Sequence, residues 1–202
     1  MTQGDVAAET SSGDSATPRA AETAARRRRL LEAAIGLASE GGYDAVQMRD
    51  VAARAQVALG TLYRHYSSKD QLLLAALADQ AGDLRTRLAQ RPPRGDGAGD
   101  RVAEVLVRAT RALTREPAVT AAMVTALTSP EAEAASAKGA VYDILRSILA
   151  TSVDGADEPN LDGIVRVLGY VWLATLNAWV GGMIDADGMA HDLTTAAHLL
   201  LD

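Results

Sequence analysis

Apolar residues recur at three- and four-residue intervals along most of the chain, and breaks in that rhythm divide it into helices. The first stripe, Leu30, Leu31, Ala34, Ile35 and Ala38, predicts a helix over about 22–39, stopped by a left-handed turn at Gly41-Gly42. Tyr43 and Val46 then turn inward. Two short helices are predicted over 48–55 and 59–66, with only Gln56 and Val57 between the first and the turn into the second. Ser67 or Ser68 caps a long fourth helix whose Leu72, Leu73, Ala76 and Leu77 continue the stripe, ending near residue 90. A breaker-rich loop over 91–99 follows, and further helices are predicted near 100–115, 118–128, 130–152, 160–184 and 187–201. Ser129-Pro130 has the form of an N-cap followed by proline at the first helical position, with Glu116-Pro117 and Pro159-Asn160 as looser versions.

Composition sharpens this into an all-α class. Phe is absent, aromatic residues are 3% and alanine runs with leucine, arginine and glutamate, so strand formers are scarce. The absence of cysteine excludes disulfide scaffolds, thiol catalysis and thiolate-held zinc or iron–sulfur sites. No signal-like leader and no unbroken apolar run near ~18 residues is read, so a soluble cytoplasmic protein with no membrane partner is expected. Three segments are predicted: a disordered polar arm over 1–18, a small helical domain over 19–70 and a larger one over 71–202.

Charge separates the two helical parts. The net charge is −6, yet Arg19 to Lys69 holds nine Lys and Arg against five acids, a local +4 that leaves −10 for the remainder. A basic end suits a polyanion. Two short helices joined by a tight turn and preceded by a longer one also make the helix-turn-helix pattern of DNA-binding proteins.

The string from Met48 to Leu73 resembles the TetR family of bacterial repressors, whose signature is approximately T-x-R-x-I-A-x-x-A-G-V-S-x-G-T-x-Y-x-H/Y-F-x-S-K-x-x-L. The likeness is close over about 27–74. Gly60 permits close backbone approach and Thr61 can reach a base edge or phosphate, while Tyr63, His65 and Lys69 suit phosphate oxygens. Base reading falls to Gln56, Ala58, Leu59, Gly60 and Thr61, with Gln47 and Arg49 against the DNA backbone. Gln47 stands where the family often has Ser or Thr, and Gln56 where it has Gly. Arg26 and Arg27, within the run Arg26–Arg29, are expected to steer or to reach the minor groove, the alternative being a solvated helical turn. For Tyr63 the alternative is burial in the small core, and Tyr66 is expected to be core.

Other chemistry finds little footing. His191 and His198 lie seven residues apart, about 10.5 Å along a helix, too far to share a metal. Gly95-Asp96-Gly97-Ala98-Gly99 lacks the strand and lysine of a phosphate loop, and Asp185-Ala186-Asp187-Gly188 lacks most ligands of a calcium loop. No metal, cofactor or enzymatic activity is expected.

The stretch 161–184 is apolar nearly all round and so is expected to be buried on two sides. The TetR resemblance implies a homodimer built from the last two helices, for which Leu168, Trp172, Thr175, Trp179, Leu193, Ala197 and Leu200 are candidates; the alternative is a monomeric bundle core. Leu84, Leu88, Leu106, Thr110, Leu113, Thr120, Met123, Leu127, Tyr142, Leu145, Leu149, Trp172, Leu176 and Asn177 are candidates to line a cavity for a large lipophilic ligand, or else ordinary core. The segments around 41–49, 57–64, 116–123 and 171–179 are similar to an actinobacterial subgroup of that family controlling cholesterol catabolism. That resemblance implies a steroid or acyl-CoA thioester that releases the repressor from double-stranded operator DNA. An activator or effector-independent regulator of the same fold is the alternative.

Overall fold

The computed structural model describes residues 18–153 and 160–202. The polar arm expected over 1–18 therefore lies, up to residue 17, outside the described residues, as does Pro159. Among the described residues there are nine α-helices, one short 3-10 turn and no strand.

α1 (Pro18–Ala45) breaks at Gly41 and Gly42, where Gly42 takes a left-handed φ of 67°. The break turns Tyr43 and Val46 back toward the helix that precedes it, and Val46 is fully buried. α2 (Met48–Arg54) closes on a double hydrogen bond, Gln56 N–H to the Ala53 carbonyl at 3.1 Å and Val57 N–H to the Ala52 carbonyl at 3.0 Å. That closure places Gln56 at φ 55°, a conformation that a glycine adopts at lower cost. α3 (Leu59–His65) follows, and α4 (Lys69–Gln90) is capped by Ser68, whose Oγ accepts from Gln71 N at 3.2 Å.

The loop expected over 91–99 ends at residue 97, where α5 (Ala98–Leu113) starts two residues early, and α6 (Pro117–Thr128) follows with proline in its first turn, as its sequence predicts. Ser129 does not start the next helix. Its amide donates to the Thr125 carbonyl at 3.0 Å, so it ends α6, and Pro130 leads into the 3-10 turn Ala132–Ala134 before α7 (Ala135–Ser152). α8 (Leu161–Val180) stops four residues short of the expected 184, because Gly182 at φ 71° lets Met183 N–H reach the Ala178 carbonyl. Asp185 then caps α9 (Ala186–Leu201) by accepting from Gly188 N at 2.8 Å.

Two hydrophobic clusters result. The first joins Leu30, Leu31, Ala34 and Ala38 of α1 to Val51, Leu62, Tyr66 and the Leu72–Leu74 run of α4, and it takes in Ala122, Met123 and Ala126 of α6. Leu62, with no exposed surface, sits at its centre, and truncating such a side chain to alanine costs about 2–5 kcal/mol. The second holds Leu84 and Leu88 of α4 with the inward faces of α5, α7, α8 and α9. α4 belongs to both.

By length and composition α8 is long and apolar enough to cross a membrane, which the expectation of no such run overlooked, since Asp162 and Arg166 interrupt its first turns. Its Ile164, Val165, Leu168 and Leu176 instead pack inside the second cluster.

Candidate nucleic-acid interface and ligand cavity

The face of α3 directed to solvent is built by phase alone: Leu62 and Tyr66 point inward and are buried, which leaves Leu59, Gly60, Tyr63 and His65 outward and exposed. Tyr63 is 51% exposed, so burial in the small core is excluded. Ala58 and Gln56 lie on the same exposed rim, and Thr61 is half-buried with its Oγ accepting from the Arg64 guanidinium at 2.8 Å. Gln47 does not cap α2; its Nε2 donates back to the Asp44 carbonyl at 2.8 Å, while Arg49 stands exposed beside it.

Lys69 reaches this edge from the first turn of α4. Its ammonium lies 3.7 Å from the centre of the Tyr43 ring and donates to the Tyr43 carbonyl at 3.3 Å. Tyr43 in turn donates its hydroxyl to Asp70, which is wholly buried and whose Oδ2 has no partner. Burial first, and then the bond to Asp70, push the Tyr43 hydroxyl pKa far above its ordinary value.

The four consecutive arginines of α1, Arg26–Arg29, divide in a way their spacing conceals. Arg26 pairs with Glu22 at 2.7 Å one turn away, and Arg28 approaches Glu32 at 3.7 Å. Arg27, expected to steer or to reach the minor groove, pairs in this structure with Asp79 of α4 at 2.8 Å. Arg29 donates to the Ala55 carbonyl at the end of α2 at 3.3 Å. Half of the basic run is thus architectural.

A cavity of about 340 Å³ opens among α4, α5, α6, α7 and α8. Leu84, Leu113, Thr120, Leu127, Leu145, Trp172 and Leu176 stand in its wall as their sequence positions predict. The sequence reading missed Leu77, Ala81, Val119, Val141 and Leu173, and the polar rim of Gln80, Asp83, Arg87, Arg115 and Glu116. Other candidates lie elsewhere, for reasons of helical phase. Met123 is in the first cluster against α1; Leu88, Leu106 and Leu149 are in the second, with Leu106 and Leu149 around a separate void of about 10 Å³. Thr110 is buried beside that cluster and does not line the cavity. Tyr142 follows the inward Val141 by one residue and is exposed; Asn177 follows Leu176 and turns its Nδ2 to the Leu173 carbonyl at 2.8 Å.

Residues 30–76 match the family described as bacterial regulatory proteins, tetR family, and residues 95–200 match the tetracyclin repressor-like C-terminal domain. The HTH-type transcriptional repressor KstR of Rhodococcus jostii is 40% identical over 178 residues, covering 87% of this chain and 82% of that protein. The chain belongs to the TetR family. A TetR transcriptional regulator of known crystal structure from a Rhodococcus species superposes with a TM-score of 0.81 at 34% identity, over 89% of this chain and 97% of that one. At 22% identity the Thermus thermophilus FadR, solved in complex with lauroyl-CoA, shares the fold, with a TM-score of 0.67 over 86% of this chain and 92% of its own. These relatives are named as regulators, and this TetR-family chain is a regulator rather than an enzyme.

In this TetR chain the helices α8 and α9 turn unexpected residues outward. Leu168, Thr175, Leu193 and Ala197, expected at a subunit interface, are buried inside the chain's own body, and Trp172 is in the cavity wall. Trp179 and Leu200 are half-buried against the same core. The outward stripe is Val167, Tyr170, Ala174 and Asn177 on α8, with Thr195 and Leu199 on α9. A helix apolar nearly all round offers two stripes, and its sequence does not say which one meets its own core.

Proposed function

We propose that this chain is a dimeric DNA-binding repressor whose pseudo-palindromic operator is released by a lipophilic effector of the steroid or acyl-CoA thioester class. The observation that carries the reading is the double membership of α4. Its Leu72–Leu74 run packs in the core beneath α3 and its Asp79 holds Arg27, while Leu77, Ala81 and Leu84 of the same rod form cavity wall. A ligand filling the cavity presses on the helix that positions the DNA-reading face. It shifts the equilibrium only by its preference for one of two positions of α4.

In this reading a head over 19–70 binds DNA and a body over 71–202 binds effector and partner subunit. Gln56, Ala58, Leu59, Gly60 and Thr61 read bases; Gln47, Arg49, Tyr63, His65 and Lys69, with Arg26 at the margin, hold the backbone. The outward stripe of α8 and α9 joins two copies and sets their recognition helices about 34–36 Å apart. Support for the effector class comes from the apolar wall with its polar rim, from the likeness to KstR, and from the shared fold of a FadR that holds lauroyl-CoA. Such a regulator works in the cytoplasm.

Selection of bound sequences from random duplex DNA with the full chain tests the first half. The reading expects two inverted half-sites one helical turn apart, or a multiple of it. Failure to enrich any motif overturns it.

A further inference from the structure

Trp172 is only 9% exposed, and its indole Nε1 has no hydrogen-bond partner. Buried donors in folded proteins are almost always paired; this one is itself covered but belongs to a side chain of the cavity wall, so its partner can come with a ligand whose entry parts the side chains over it. We propose that the Trp172 N–H is the donor that recognises a carbonyl oxygen on the effector. The proposal rests on the effector reading above and narrows it.

Among the described residues no side chain or carbonyl satisfies this group. Trp172 stands between the 340 Å³ cavity and the void of about 10 Å³ behind it, and the other residues common to both walls are Leu84, Ala109 and Leu145, none with a side-chain acceptor. The void is lined otherwise by aliphatic side chains and is at the lower limit for a water, which would in any case need two or more polar partners. Thr120, the hydroxyl of the cavity wall, donates to the Leu113 carbonyl at 2.6 Å and does not accept from Trp172. An oxygen acceptor brought in on a ligand relieves the cost of the unpaired donor. A carbonyl oxygen is an acceptor alone, so once it takes the Trp172 N–H it needs no further acceptor from the wall.

The chemistry separates ketones and thioesters from otherwise identical molecules without the oxygen. Two matched pairs test it: lauroyl-CoA against its S-dodecyl thioether, and cholest-4-en-3-one against its 3-deoxy hydrocarbon. Each is titrated against the full chain, its Trp172→Phe variant, and a form carrying at position 172 the benzothiophene analogue of tryptophan, in which sulfur replaces N–H and the shape is kept. The expected result is that the carbonyl member of a binding pair is held about tenfold more tightly by the natural chain, a preference lost in both altered forms. The benzothiophene form decides the matter if the phenylalanine variant folds poorly. Equal binding of both members by the natural chain, or a preference that survives loss of the N–H, overturns the proposal and leaves the effector class standing. Binding of none of the four overturns both.

Discussion

Arg27 of α1 and Asp79 of α4 form an ion pair at 2.8 Å that ties the DNA-reading head to the helix lining the cavity. Asp79 lies between Leu77 and Gln80, both in the cavity wall, so cavity-lining residues and the Arg27 anchor alternate along one helical turn. Both side chains are about half exposed, and such a pair contributes under about 1 kcal/mol to stability. Its greater consequence is for the position of α4. Asp79→Ala is expected to change Tm little, yet to shift the effector concentration for half-release of operator several-fold; an unchanged release curve in a shift assay would remove the pair from the coupling.

The Tyr43–Asp70 bond predicts a pH dependence. A phenol whose folded pKa is raised contributes its full stability below its unfolded pKa, near 10, and loses it progressively as pH climbs toward the folded value. Tyr43→Phe removes that alkaline loss and also strips Asp70 of its hydroxyl partner, at a cost of about 1–3 kcal/mol near neutral pH. Urea unfolding of both forms from pH 7 upward checks the two effects together.

Gln56 is a residue for which the sequence departs from the family habit of Gly, and the structure shows the consequence in its φ of 55°. Gln56→Gly is expected to raise stability by about 1 kcal/mol, since the left-handed conformation costs a side-chain-bearing residue roughly that much. Thermal unfolding should show a gain of about 2–4 °C. A fall in Tm would mean that the exposed Gln56 side chain contributes more than its backbone costs.

Lys69 is held over the Tyr43 ring at the start of α4, and the proposed backbone contact gives its charge a defined test. Lys69→Ala should weaken binding to all duplexes alike and lower the slope of log affinity against log salt by about one. Tyr63→Ala should weaken binding with little change of slope, its hydroxyl carrying no charge. Changes at Leu59 or Thr61 should instead alter which sequences are selected.

Much of this was legible in the residues themselves, and what was not follows one cause. The helix breaks at Gly41-Gly42, the cap near Ser68 and the exposed Tyr63 all follow from local chemistry or from a two-element string with polar residues on one side. Helical phase in the body did not, because α6 and α8 are apolar on several sides. Met123 thus packs under α1 rather than in the cavity, and Leu168 and Leu193 fill the chain's own core while Val167, Tyr170 and Leu199 face outward. Arg27 shows the same limit for charge: four consecutive arginines cannot say which of them meets an acid fifty-two residues away.

If α4 couples the cavity to DNA, equilibrium binding of the full chain to its selected palindrome must respond to titration with acyl-CoA and steroid thioesters at fixed salt. At least one of them is expected to raise the operator Kd tenfold or more as it saturates the cavity, and a bulky side chain at Ala81, filling the cavity wall, to blunt the response. Operator affinity that stays constant while a thioester demonstrably occupies the cavity would contradict that coupling.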